Sequence, residues 1–234
     1  MIMDVNAAAG NFMDEVYPLR SEFSSERYLA HALQNSESAY RGTTIPEEEV
    51  DGLLSAPDTN YRPISKYYPS PSGGLEEVKH SFVSGPCAAE HRGTDVVYYL
   101  DDQKPRYLFG LVRFGLPASS VRLPLLGYAA SAHGGAVEAV LDDVTGTVVR
   151  HCESLFMATA SFTCKLRKPC PLNTTLLLKA QVVDGSVTKG GLSCTTTGTL
   201  YEPKTGVVIA TAEAKMVDFF KLREKATMSA YAPA

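Results

Sequence analysis

The chain has 234 residues, 44% of them hydrophobic and 21% charged, with a formal net charge of −4. That is enough apolar material for one sizeable core, and the acidic balance argues against nucleic acid or an anionic membrane as partner. No apolar run approaches the ~20 residues that span a bilayer, and the start MIMDVNAAAGNFMDE lacks a secretory core. The five cysteines (87, 152, 164, 170 and 194) are odd in number and form no CxxC, which predicts reduced thiols and a cytoplasmic or mitochondrial setting.

In chain order, residues 1–20 carry no period, and Arg20 to Arg41 holds Phe23, Tyr28, Leu29, Ala32 and Leu33 in a modest amphipathic helical pattern. Pro46 followed by Glu47, Glu48 and Glu49 predicts a short helix to about Leu54, because proline suits a first turn and acids suit the N-terminal dipole. From Ser55 to Gly74, Pro57, Pro63, Pro69, Pro71 and a glycine pair predict a linker or draped arm. Residues 1–75 therefore read as an N-terminal extension, 76–220 as the main domain and 221–234 as a C-terminal tail.

Strand composition begins at Glu76–Ser84, Asp95–Leu100 and Arg106–Phe114, all rich in β-branched or aromatic residues. A helix is predicted over His133–Gly146, with Val137, Val140, Leu141, Val144 and Val148 at three- and four-residue spacing along one apolar side. Next comes Glu153–Leu166, whose even positions (Phe156, Ala158, Ala160, Phe162, Cys164, Leu166) are apolar. Strict alternation places Thr159 on the opposite, polar face. Leu176, Leu178, Ala180 and Val182 repeat the pattern, Gly190–Tyr201 is threonine-rich, and Val207–Phe219 carries Ala210, Ala212 and Ala214 on one face, small enough for a helix to pack closely. One long helix followed by meandering strands predicts an α+β fold, an antiparallel sheet wrapped around a central helix.

Chemistry concentrates on that helix. Gly134 and Gly135 open it where backbone N–H donors are unpaired and the dipole favours negative charge. Asp142 and Asp143 follow on an otherwise apolar element, costly unless solvated, paired or used; period alone does not choose between them. No GxSxG elbow, P-loop, HExxH or paired CxxC is present, and Cys152 beside His151 reads as a structural thiol.

The run His133-Gly134-Gly135, with Asp142 nine positions after the histidine, resembles the signature of hotdog-fold acyl-CoA thioesterases of the phenylacetyl-CoA type. MATASFTCKLRKPCPL (Met157 to Leu172) and ATAEAKMVDF (Ala210 to Phe219) are similar to strands of the same family, so the resemblance covers roughly residues 76–220. It implies hydrolysis of acyl-CoA without a metal, coenzyme A entering only as part of the substrate, and a homodimer or homotetramer. Asp142 would be general base or nucleophile, Gly134 and Gly135 carbonyl-polarising donors, His133 the organiser of their loop, and Thr159 a hydroxyl assisting the attacking water. Arg167 and Lys168 would lie near the coenzyme A phosphates. Some relatives carry an asparagine donor six residues before the histidine, where this chain has Gly127. A non-catalytic acyl-CoA-binding sensor or scaffold of the same fold is the alternative.

Overall fold

The computed structural model describes residues 45–54, 61–64, 67–69, 75–77, 83, 93–101, 103–119 and 131–230, all within the unit Ala39–Ala234. The helical pattern over 20–41 and position 127 lie outside these residues. In chain order the elements are α1 (Glu47–Leu54), β1 (Tyr61–Pro63), β2 (Tyr67–Pro69), β3 (Leu75–Glu77), β4 (Thr94–Asp101), β5 (Tyr107–Phe114), a 3₁₀ turn (Leu116–Ala118), α2 (Gly134–Cys152), β6 (Met157–Leu166), β7 (Thr175–Val182), β8 (Ser193–Tyr201), β9 (Val208–Asp218) and α3 (Phe219–Ala230).

Seven strands form one sheet in the order β1-β4-β5-β7-β8-β9-β6, every pairing antiparallel, while β2 and β3 make a separate two-stranded sheet. The strand expected over Glu76–Ser84 thus begins in the small sheet. The proline-rich arm contributes to the large one: Tyr61, Arg62 and Pro63 pair with Asp101, Leu100 and Tyr99 at an edge, where a proline's missing N–H is tolerated. After the β4–β5 hairpin, α2 crosses the sheet and delivers β6 to the far edge; β7, β8 and β9 then meander back to meet it.

Helix α2 runs past Gly146 to Cys152 because its apolar stripe does not stop there. Val137, Val140, Leu141, Val144, Val148 and Val149 are all buried, and α2 packs on β5 through β9. Small residues set how closely it lies. Ala210, Ala212 and Ala214 of β9 are buried as expected, and a Cβ on Gly198 of β8 would meet Thr145 Cγ2 at 3.0 Å. Thr145 and Thr147, buried within the helix, donate their hydroxyls to the carbonyls of Leu141, Asp142 and Asp143, which satisfies both donors inside the core.

One expectation fails in a way that matters for the site. The alternation of β6 is broken by a bulge between Thr159 and Ser161, where Ala160 is the extra residue. Thr159 pairs with buried Met216, and beyond the bulge Phe162 pairs with Ala214. Met157, Thr159, Phe162 and Cys164 therefore share the face turned toward α2, and Thr159 is not on the outer face. The C-terminal residues also carry regular structure: buried Asp218 caps α3, its Oδ1 accepting the N–H groups of Phe220 (3.1 Å) and Lys221 (3.0 Å).

Candidate active site

The start of α2 is fixed by three contacts. The Ala132 N–H donates to the Cys170 carbonyl (2.8 Å), the His133 N–H donates to the Ala118 carbonyl (2.7 Å), and His133 serves as N-cap. The Gly135 N–H donates to His133 Nδ1 at 3.0 Å. Of the two glycine donors expected here, Gly135 is thus engaged by the imidazole, while the Gly134 N–H has no partner among the described residues. A Cβ on Gly134 would sit 2.9 Å from Leu166 Cδ1, which brings the end of β6 against this turn. Arg167 and Lys168 follow Leu166 directly. Their backbone N–H groups bond the Ile209 carbonyl and both residues are exposed.

Two turns on, the structure separates the neighbouring acids. The Thr159 hydroxyl donates to Asp142 Oδ1 at 2.9 Å, joining helix to edge strand. Asp143 faces the other way and its Oδ2 accepts the Tyr98 hydroxyl at 2.6 Å. Tyr98 lies in the core of β4; burial pushes its hydroxyl well above the usual phenol range, and the Asp143 charge adds to this, so it stays a neutral donor. Arg150 brings positive charge to this side of the helix, its guanidinium folded back where a Cβ on Gly146 would come within 2.8 Å. Tyr98 was not legible as a partner from sequence. Its one signal is that it alternates with Val96 and Leu100 on an apolar row.

A cavity of about 560 Å³ opens beside the first turns of α2. Its walls include Gly135, Ala136 and Ala139 of the helix, Thr94 of β4, and Pro117 and Ala118 of the 3₁₀ turn. Asp142 follows Ala139 and Gly135 at i+3 and i+7, along the row of helix positions that borders this space. Cys152, Cys170 and Cys194 are not set up as nucleophiles. Burial pushes Cys152 and Cys194 up to about 11 and Cys170 up to about 12, and Cys152 Sγ donates to the Pro105 carbonyl. Among the described residues, no group of three or more His, Cys, Asp or Glu is placed to hold a metal ion, and no helix is long and apolar enough to cross a membrane.

No family model and no curated protein matches the chain. Among solved structures it is similar to a thioesterase superfamily protein at 22% identity, covering 90% of this chain and 92% of that one, with a TM-score of 0.44. A hypothetical thioesterase from Streptococcus pneumoniae TIGR4, crystallised with coenzyme A, is 20% identical over 51% of this chain and 86% of its own, with a TM-score of 0.39. Zebrafish thioesterase superfamily member 2 is 15% identical over 53% and 80%, with a TM-score of 0.41.

Proposed function

We propose that the chain is a hotdog-fold acyl-CoA thioesterase that hydrolyses the thioester to a free acid and coenzyme A. The reading rests above all on the 2.9 Å bond from Thr159 to Asp142. It joins a hydroxyl and a carboxylate from two elements, one strand bulge and two helical turns from a helix N-terminal N–H that has no partner among the described residues. Asp142 either draws a proton from water as that water attacks the carbonyl carbon, or attacks the carbon itself to give a mixed anhydride. Water hydrolyses that anhydride once the thiolate has left, releasing the acid and restoring the carboxylate. The carbonyl oxygen takes up the electron pair and is met by the Gly134 N–H at the helix N-terminus of a second copy of the chain, because eight residues of one helix hold Gly134 and Asp142 about 12 Å apart, too far to share one carbonyl. The C–S bond then breaks and the thiolate leaves, taking up a proton as free thiol. Thr159 orients the carboxylate and the water, and His133 fixes the loop by holding Gly135. Arg167 and Lys168, exposed just after Leu166, are suited to the coenzyme A phosphates.

A homodimer fits the same reading. Among the described strands β6 pairs only with β9 and carries Thr159 on a sheet edge, which a second β6 can cover. The alternative, an acyl-CoA-binding sensor, draws support from the Gly135 N–H being taken up by His133 and so withdrawn from a substrate carbonyl. Thiol release from a panel of short, medium, long and aryl acyl-CoAs, without added metal, decides between them. Turnover supports the hydrolase, and saturable acyl-CoA binding with no turnover supports the sensor.

A further inference from the structure

Along β4, Thr94, Val96, Tyr98 and Leu100 face helix α2, and two of these four carry hydroxyls. The Tyr98 hydroxyl is taken by Asp143. Thr94 is only 5% exposed and lines the cavity opposite Ala136, Ala139 and Val140, yet its hydroxyl has no partner among the described residues. The other polar lining residues differ: His133 is exposed, and Ser119 is half-buried and bridges to Ala132. The surrounding wall is apolar, formed by Val83, Pro117, Ala118 and the helix residues.

A hydroxyl that loses its remaining access to water without gaining a partner is costly. Water can serve it while the cavity is open, but an acyl group that fills the space displaces that water. A hydrocarbon chain leaves the hydroxyl orphaned, whereas a chain with its own oxygen replaces the bond. Resting on the thioesterase reading above, we propose that Thr94 is a specificity-determining residue of the acyl pocket. It selects acyl groups that carry a hydroxyl or carbonyl oxygen over hydrocarbon chains of equal length.

The test compares kcat/KM for matched acyl-CoA pairs of equal length, with and without a hydroxyl, the hydroxyl position being varied along the chain. Wild-type protein should prefer one oxygenated member by roughly tenfold or more, since a site built to bond an oxygen discriminates strongly against the analogue lacking it. Thr94→Val keeps the shape and removes the hydroxyl, so the preference should collapse, with kcat/KM for the hydrocarbon rising. Thr94→Ser should retain the preference. An equal preference in wild type and Thr94→Val, or none at any position in wild type, overturns the assignment while leaving the thioesterase reading intact. Absence of thiol release from every substrate overturns that reading, and this assignment with it.

Discussion

The two walls of helix α2 treat adjacent acids in opposite ways. Toward β4, Asp143 meets a tyrosine buried in the main core, 4% exposed and distant in sequence. Toward β6, Asp142 meets an exposed threonine on an edge strand. Consecutive helix positions point about 100° apart, so one residue type is delivered to a dry wall and to a wet one. On the dry wall an unpaired carboxylate would be costly, and the Tyr98 bond both satisfies it and fixes the rotation of α2. On the wet wall water can reach the carboxylate, and a hydroxyl stands ready to orient it. On the proposed reading Asp143 holds structure and Asp142 carries the chemistry.

The comparison is sharpest in rate. Asp142→Asn should lower thioester turnover by about 10²–10⁴-fold with folding intact, the usual loss for a general base. If turnover persists, Asp142 is only a solvated acid and the division between the walls fails. On the other wall the expected damage is to stability: Tyr98→Phe removes a bond to a charged group and should cost about 1.5–3 kcal/mol in urea unfolding. An unchanged urea midpoint would show that Asp143 finds other partners and that the dry wall does not hold the helix. Thr159→Ala should slow turnover about tenfold, equivalent to ~1.4 kcal/mol, without lowering stability by a like amount. A stability loss with no rate loss would make Thr159 a strut.

The smallest effect is at the end of β9, where Asp218 pairs with Met157 and caps α3. Burial pushes the Asp218 carboxyl up, but the Lys221 backbone N–H, the Ser154 hydroxyl and the Lys221 charge together hold it below the usual aspartate value. A depressed folded value means that the cap's contribution is full above the unfolded aspartate range and is lost as pH falls through the folded value. Asp218→Ala should therefore cost about 1 kcal/mol near neutral pH, and the gap from wild type should close in acid. A gap independent of pH would mean that packing, and not charge, is what the residue supplies.

Much of this layout is legible from periodicity. The stripe from Val137 to Val148 specifies a buried helix, and the alternation of Leu176, Leu178, Ala180 and Val182 specifies a strand with one face in the core. Periodicity cannot choose between Asp142 and Asp143; the resemblance to the His-Gly-Gly…Asp signature points to Asp142, which the fold puts beside Thr159. Three things stay hidden for physical reasons. A bulge adds one residue without a signature in composition, so reading β6 as strictly alternating turns Thr159 to the wrong face. The Tyr98–Asp143 bond spans 45 residues and depends on which of two adjacent tyrosines points inward. The pairing of Tyr61–Pro63 with β4 is set by tertiary contact in a stretch whose prolines read as linker.

Whether Asp142 and Thr159 act as one unit is tested most directly by a double-mutant cycle on single-turnover thioester cleavage, with wild type, Asp142→Asn, Thr159→Ala and the double variant. If the hydroxyl works through the carboxylate, the double variant should be no slower than Asp142→Asn alone. Losses that simply multiply would mean that the two side chains act independently, and would contradict the account.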